Sequence, residues 1–280
     1  MTHHGLVPGP LRPRAGRGAS KLSEQSRRAC VFVVGTFVVS WGAWWSLAAL
    51  SNAGAVTLDA PAGWALFVLG GTAPTWVAYL AVWRTPEAGP LREFNRRVLR
   101  WRVPLSLLAA ALLGAAALGV VSMALAGLLT SVSWPEGRGA LAVFVPAVGV
   151  GIVFGGIEEV GWRGALQPAV TARWNLLTAN LVIAAVWTIW HLPLFWVVGT
   201  SQHGAPFGLF VLAGFGYSAI MTWLYARTQS VALCVLFHAG ISAAAAAGLA
   251  FSFSDMPGFA VQALVVAGVG VSVLVFTRRR

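Results

Sequence analysis

Eight stretches of this chain are apolar over some twenty residues each, and few folds admit such stretches. They run over about 30–51, 62–83, 104–130, 140–165, 176–198, 206–226, 230–250 and 257–277. About twenty apolar residues, at 1.5 Å each along a helix, cross the roughly 30 Å hydrocarbon core of a bilayer. Within that core the backbone must satisfy its own N–H and C=O groups, so spanning segments are helices or strands of a closed barrel. Unbroken apolar runs of this length select helices. The predicted fold is all-α: a polytopic membrane bundle of about eight transmembrane helices. Composition agrees, since only 10% of the residues are charged, against roughly 25% in a soluble domain.

The net charge of +11 would suit a nucleic-acid binder if the charges formed a surface patch. They lie instead in tails and between apolar runs, where the bias of Lys and Arg toward the cytoplasm places them. With the N-terminus inside, Arg12, Arg14, Arg17, Lys21, Arg27 and Arg28 precede the first run. Arg84, Arg92, Arg96, Arg97, Arg100 and Arg102 follow the second. Arg163 and Arg173 close the fourth, Arg227 the sixth, and Arg278, Arg279 and Arg280 the chain. Of the 19 basic residues only Arg138 falls on the other side, which also holds Asp59, Glu136 and Asp255. Eight helices with both termini cytoplasmic follow, and no nucleic-acid partner.

Residues 1–28, rich in Gly, Pro, Arg and Ser, read as a disordered basic cytoplasmic tail. Residues 29–280 form the integral-membrane domain. The apolar run after the tail is too long for a signal peptide and lacks a small-residue cleavage site. Residues 84–102 include a basic amphipathic stretch suited to the inner leaflet. The sixth and seventh runs, joined by Arg227-Thr228-Gln229, form a tight hairpin, and the alanines at 243–247 allow close helix packing. Cys30 and Cys234 both sit in apolar runs and read as buried small hydrophobes.

Against this background, Gly156-Ile157-Glu158-Glu159-Val160-Gly161-Trp162-Arg163-Gly164 is conspicuous. Ionisable groups at membrane depth are costly and usually face a bundle interior, where they mark function. Glu159 and Arg163 are four apart and pair on one helix face. Glu158 points about 100° away and has no partner on its own helix. The apolar cores hold few other titratable groups: His191 in the fifth run and His238 in the seventh. Each is an unpaired polar group in hydrocarbon unless they meet, so Glu158, His191 and His238 are expected to converge. Ser242 shares a helix face with His238. Trp187 and Phe195, one turn either side of His191, would wall the cavity, and Pro193 would loosen the helix there. Convergence at one depth asks the fourth span to run to about Leu166 and the fifth to start later than residue 176.

A glutamate in a low-dielectric pocket acts as general base on water, and a histidine shares the proton or holds a developing oxyanion. Two histidines and a glutamate, here Glu158, His191 and His238, are also the ligand set of catalytic zinc sites. Carboxylate-activated and metal-activated water both fit, with one divalent metal or none, and both lead to hydrolysis.

These residues resemble the motifs of the CAAX-protease and bacteriocin-processing (CPBP, or Abi) family of intramembrane endopeptidases. EEVGWRG, from Glu158, is similar to its EExxxR motif. Trp187-x-x-x-His191 resembles FxxxH with Trp for Phe, and His238-x-x-x-Ser242 resembles HxxxN with Ser for Asn. The three occur in family order, within a catalytic core of about 140–250. The resemblance implies a helical bundle with a conical cavity open to the cytosol. There Glu158 and His191 activate water, His238 and Ser242 form the oxyanion side, and Glu159 with Arg163 holds the helix. The expected protein is a protease of a bacterial inner membrane whose partners are the lipid bilayer and a membrane peptide or protein substrate. A non-proteolytic bacteriocin-immunity or membrane scaffold protein is the alternative. A transporter ranks lower, since no pair of broken half-helices suggests inverted repeats.

Overall fold

A computed structural model describes residues 15–130 and 140–276. The chain forms α1 (Ala15–Asn52), α2 (Pro61–Arg84), α3 (Leu91–Val98), α4 (Leu105–Leu129) and α5 (Ala140–Phe154). The short helices α6 (Glu159–Gly161) and α7 (Gln167–Thr171) follow, then α8 (Leu176–Trp190), α9 (Phe207–Thr228), α10 (Val231–Ala246) and α11 (Met256–Phe276). The described residues contain no strand. Among the described residues seven helical segments are long and apolar enough to cross a membrane, with Ala140–Thr171 counted as one. The seventh expected run is the exception. Its helix α10 has 16 residues, short of a full crossing, because Ala247 and Gly248 (φ 67°) turn the chain back into the bundle.

Large apolar side chains divide into two sets. Val38, Leu105, Leu113, Leu128, Leu141 and Leu264 face outward, as they must where the surrounding solvent is lipid. Phe32, Trp44, Trp162, Trp190 and Met221 fill the interior. The main packing pairs are α1 with α2, α9 with α11, α8 with α9, and α10 with α4 and α5. Small residues set the closest approaches. A Cβ on Gly216 would lie 2.5 Å from the Val266 carbonyl, and one on Gly270 would lie 2.7 Å from the Gly216 carbonyl. Ala243 and Ala244 are buried beside Phe144, as the alanine run suggested.

The first helix starts at Ala15, inside the segment expected to be tail; residues 1–14 lie outside the described residues. A helix over residues 15–28 has a local reason, since Glu24 pairs with Arg27. Arg28 is buried and donates to the carbonyls of Thr85 and Gly89 at 2.7 and 2.8 Å, which ties α1 to the α2–α3 connection. The basic segment 84–102 is docked rather than only spread on a leaflet. Phe94 of α3 is fully buried, edge-on to Tyr79 at 5.2 Å, and its ring would meet a Cβ on Gly164 at 2.9 Å. The α9–α10 hairpin turns at Gln229, whose φ of 54° is left-handed. Ser230 then caps α10 by accepting from the Leu233 amide. Cys30 is exposed, contrary to expectation, because that face of α1 looks outward; Cys234 is buried.

Candidate active site

The fourth apolar run is not one regular helix. α5 ends at Phe154, a 3₁₀ turn covers Gly156–Glu158, and a π turn covers Trp162–Leu166. Gly156 permits the first break because a Cβ there would sit 2.6 Å from the Val235 carbonyl of α10. The π turn precedes Pro168, which has no N–H for the regular ladder, and the Gln167 amide reaches back to the Trp162 carbonyl instead. Such widened turns recur at functional sites. The segment then continues to Thr171, past the expected Leu166, while α8 begins at Leu176, at the start of the apolar run and without the later start that convergence was expected to need. Glu158 and His191 line the same cavity.

Glu159 and Arg163 pair as their spacing predicts, fully buried. Arg163 also donates to the Ser218 hydroxyl at 3.0 Å and to its carbonyl at 3.3 Å. Ser218, on α9, was not singled out from the sequence; a lone serine in an apolar helix carries no motif. Glu158 is 3% exposed and has three neighbours. His238 Nε2 lies 3.3 Å from its Oε1, Trp187 Nε1 donates to Oε1 at 3.3 Å, and Trp162 Nε1 lies 3.5 Å from Oε2. The other nitrogen of His238, Nδ1, is 2.7 Å from Glu159 Oε1. One imidazole therefore spans the angle between two carboxylates that point to different sides of their own segment.

His191 joins the same site from α8. Its Nδ1 is 2.9 Å from the Trp187 carbonyl. A carbonyl only accepts, so Nδ1 carries the proton and Nε2 of the neutral ring is left as an acceptor. Trp187 thus links His191 to Glu158, with its carbonyl on one and its indole N–H on the other. The rings of Trp187 and Trp190 stand 4.6 Å from the imidazole on two sides, and Phe210 stands 5.2 Å away.

Two cavities meet here, of about 320 and 300 Å³. Both are lined by His191, His238, Ser242, Ser201 and Gln202; Glu158 lines the first and Trp187 the second. Ser242 is exposed, and the cavities are what expose it; among the described residues its hydroxyl makes no back-bond to the carbonyl at 238. Phe195 is one layer behind its expected place. α8 ends at Trp190, and the chain tightens into a 3₁₀ turn over Leu192–Trp196 with Pro193 in it. One-turn spacing fails there: Phe195 packs on Phe207 and Phe210, and Phe210 is the ring that walls the second cavity.

The expected metal set of Glu158, His191 and His238 is not what the fold gathers. Among the described residues the donors within 4.8 Å of one another are Glu158, Glu159 and His238. Glu159 is committed to Arg163 and to His238 Nδ1. Drawing it onto an ion would strand a buried guanidinium, at a cost of about 3–5 kcal/mol. These donors do not fit a resident ion.

The cavity mouth also departs from expectation. The first cavity reaches from Glu158 to Leu58 and to Gly199, Thr200, Ser201 and Gln202, in the loops after α1 and after α8. The arginine-rich connections lie at the other end of the bundle.

Residues 139–244 match the family model described as type II CAAX prenyl endopeptidase Rce1-like. A curated relative, CAAX prenyl protease 2 of Methanococcus maripaludis, is 26% identical over 126 residues, or 42% of this chain and 46% of the relative. The match thus spans about half the length of that relative. The matched segment holds Glu158, Glu159, Arg163, His191, His238 and Ser242, so it is this part of the chain that is similar to the CAAX prenyl endopeptidases.

Proposed function

We propose that the protein is an intramembrane endopeptidase, multi-pass in a bacterial inner membrane, which hydrolyses a peptide bond of a membrane-associated peptide or protein. The observation that carries this reading is the place of Glu158: a buried carboxylate on a cavity wall, beside His238 and facing the same space as His191 and Ser242.

The chemistry follows from the donors and acceptors. Glu159 pairs with the Arg163 guanidinium and accepts from His238 Nδ1–H. Glu158 and His238 Nε2 then hold one proton between them, and with that proton on the imidazole Glu158 is a carboxylate. A water between Glu158 and His191 Nε2 donates to both acceptors. As its oxygen bonds to the scissile carbonyl carbon, its proton passes to Glu158. The oxyanion is met by the Ser242 hydroxyl and by His238 Nε2–H. Collapse breaks the C–N bond, and Glu158 returns the proton to the leaving amine. General-base assistance of this kind contributes about 10²–10⁴-fold in rate.

The test compares wild type with Glu158→Gln in liposomes carrying a library of membrane peptides, read by mass spectrometry. Products from wild type alone are expected. If wild type cuts nothing and the cellular phenotype survives Glu158→Gln, the reading falls and an immunity or scaffold role replaces it.

A further inference from the structure

Two expectations drawn from the sequence conflict in three dimensions: a cytosolic cavity mouth and cytosolic arginine loops. The fold puts them at opposite ends. At one end, Arg28 of α1 holds Thr85 and Gly89. Arg97 donates to Tyr225 at 3.2 Å, and the Ser230 hydroxyl donates to the Arg100 carbonyl. This end carries Arg84, Arg92, Arg96, Arg97, Arg100 and Arg102. It is also closed beneath the site: Trp162, Arg163, Gly164, Ala165 and Leu166 are all buried, with Phe94 of α3 packed on Gly164.

Among the described residues the other end is built from the loops 53–60, 197–206 and 247–255, which contain no lysine or arginine. They meet one another. Asn52 donates to the Trp196 carbonyl at 2.7 Å, and the Val198 amide donates to the Ser51 hydroxyl at 3.2 Å. Ser201 and Gln202 share the second cavity with Ala250, Phe251 and Phe253. A recess of about 700 Å³ between the first two of these loops shares Leu58 and Gly199 with the cavity that reaches Glu158. Access to the carboxylate therefore lies at the end opposite the arginine-rich segments, where Arg138 is the single basic residue of the connecting loops.

Short loops rich in Lys and Arg stay in the cytoplasm. We infer that the site opens to the extracytoplasmic face of the membrane, so that its substrate is a peptide segment displayed on the outer side and not a cytosolic tail. The inference about the mouth stands on topology alone; the inference about the substrate rests on the endopeptidase reading above.

The test uses the full-length protein in a bacterial host, in a Cys30→Ser, Cys234→Ala background. Single cysteines are placed by Asp59→Cys and Ser201→Cys at the mouth and by Arg102→Cys at the arginine end. A membrane-impermeant maleimide should label the first two in intact spheroplasts as fast as after permeabilisation, and Arg102→Cys only after permeabilisation. The reverse pattern overturns the inference. In parallel, single-span reporters carry a randomised juxtamembrane tail on the outer or the inner side. Cleavage confined to outer tails, and lost with Glu158→Gln, is expected; cleavage of inner tails overturns the inference. Outside labelling with neither tail cut would remove the endopeptidase reading and leave the orientation standing.

Discussion

Nδ1 of His238 stands 2.7 Å from Oε1 of Glu159, so the histidine that faces the cavity is braced by the carboxylate that pairs with Arg163. The two adjacent glutamates are thereby divided in their tasks. Glu159 anchors a buried cation and an imidazole; Glu158 borders open space. Removing each should have a different consequence.

Glu158→Gln keeps the shape of the side chain and removes the base. Cleavage should fall by about 10²–10⁴, with the melting temperature in detergent close to wild type. A large drop in melting temperature would show that Glu158 is structural.

Glu159→Gln leaves Arg163 fully buried without its counter-charge. The loss should be about 3–5 kcal/mol of stability, read as a lowered melting temperature and poor recovery from the membrane. The further change Arg163→Met should restore much of that stability, since a buried pair replaced by apolar groups is often neutral. Failure of the double variant to recover would place the role of the pair elsewhere.

Ser242 lines both cavities and is assigned as an oxyanion donor. Ser242→Ala should lower kcat by about 10²–10³ with KM little changed, the usual effect of deleting one such donor. Ser242→Asn restores a donor with longer reach and should keep activity. Equal kcat for Ala and Ser would remove the hydroxyl from the mechanism.

With Glu159 held by Arg163, chelation should leave cleavage intact, because no step is routed through an ion. The check is activity after dialysis against a chelator, followed by added zinc. Loss on dialysis and recovery with zinc would overturn the donor argument.

Gly156 lies against the Val235 carbonyl, where a Cβ would come within 2.6 Å. Gly156→Ala should cost about 1–3 kcal/mol by forcing the fourth segment off α10. Gly149→Ala on α5 meets nothing within 4 Å and should be within about 0.5 kcal/mol of wild type. Thermal melts of the two variants, side by side, measure the difference.

Much of this protein is legible in its sequence. Apolar runs of spanning length dictate a helical membrane bundle, because hydrocarbon leaves the backbone little choice. Glu159–Arg163 follows from helical spacing alone, and the scarcity of titratable groups was enough to bring Glu158, His191 and His238 to one site. Local rules do not carry across a break, however. The 3₁₀ and π turns around Glu158 and the 3₁₀ turn after Trp190 depend on close approach to α10 and on prolines that redirect the chain; they moved Phe195 behind Phe210 and gave His238 both carboxylates. The partner of Arg163 on α9, Ser218, is set by helix packing and has no signature along the chain. The face on which the cavity opens was beyond the sequence for the same reason. Charge counts order the loops along the chain, but only the packed bundle shows which loops border the carboxylate.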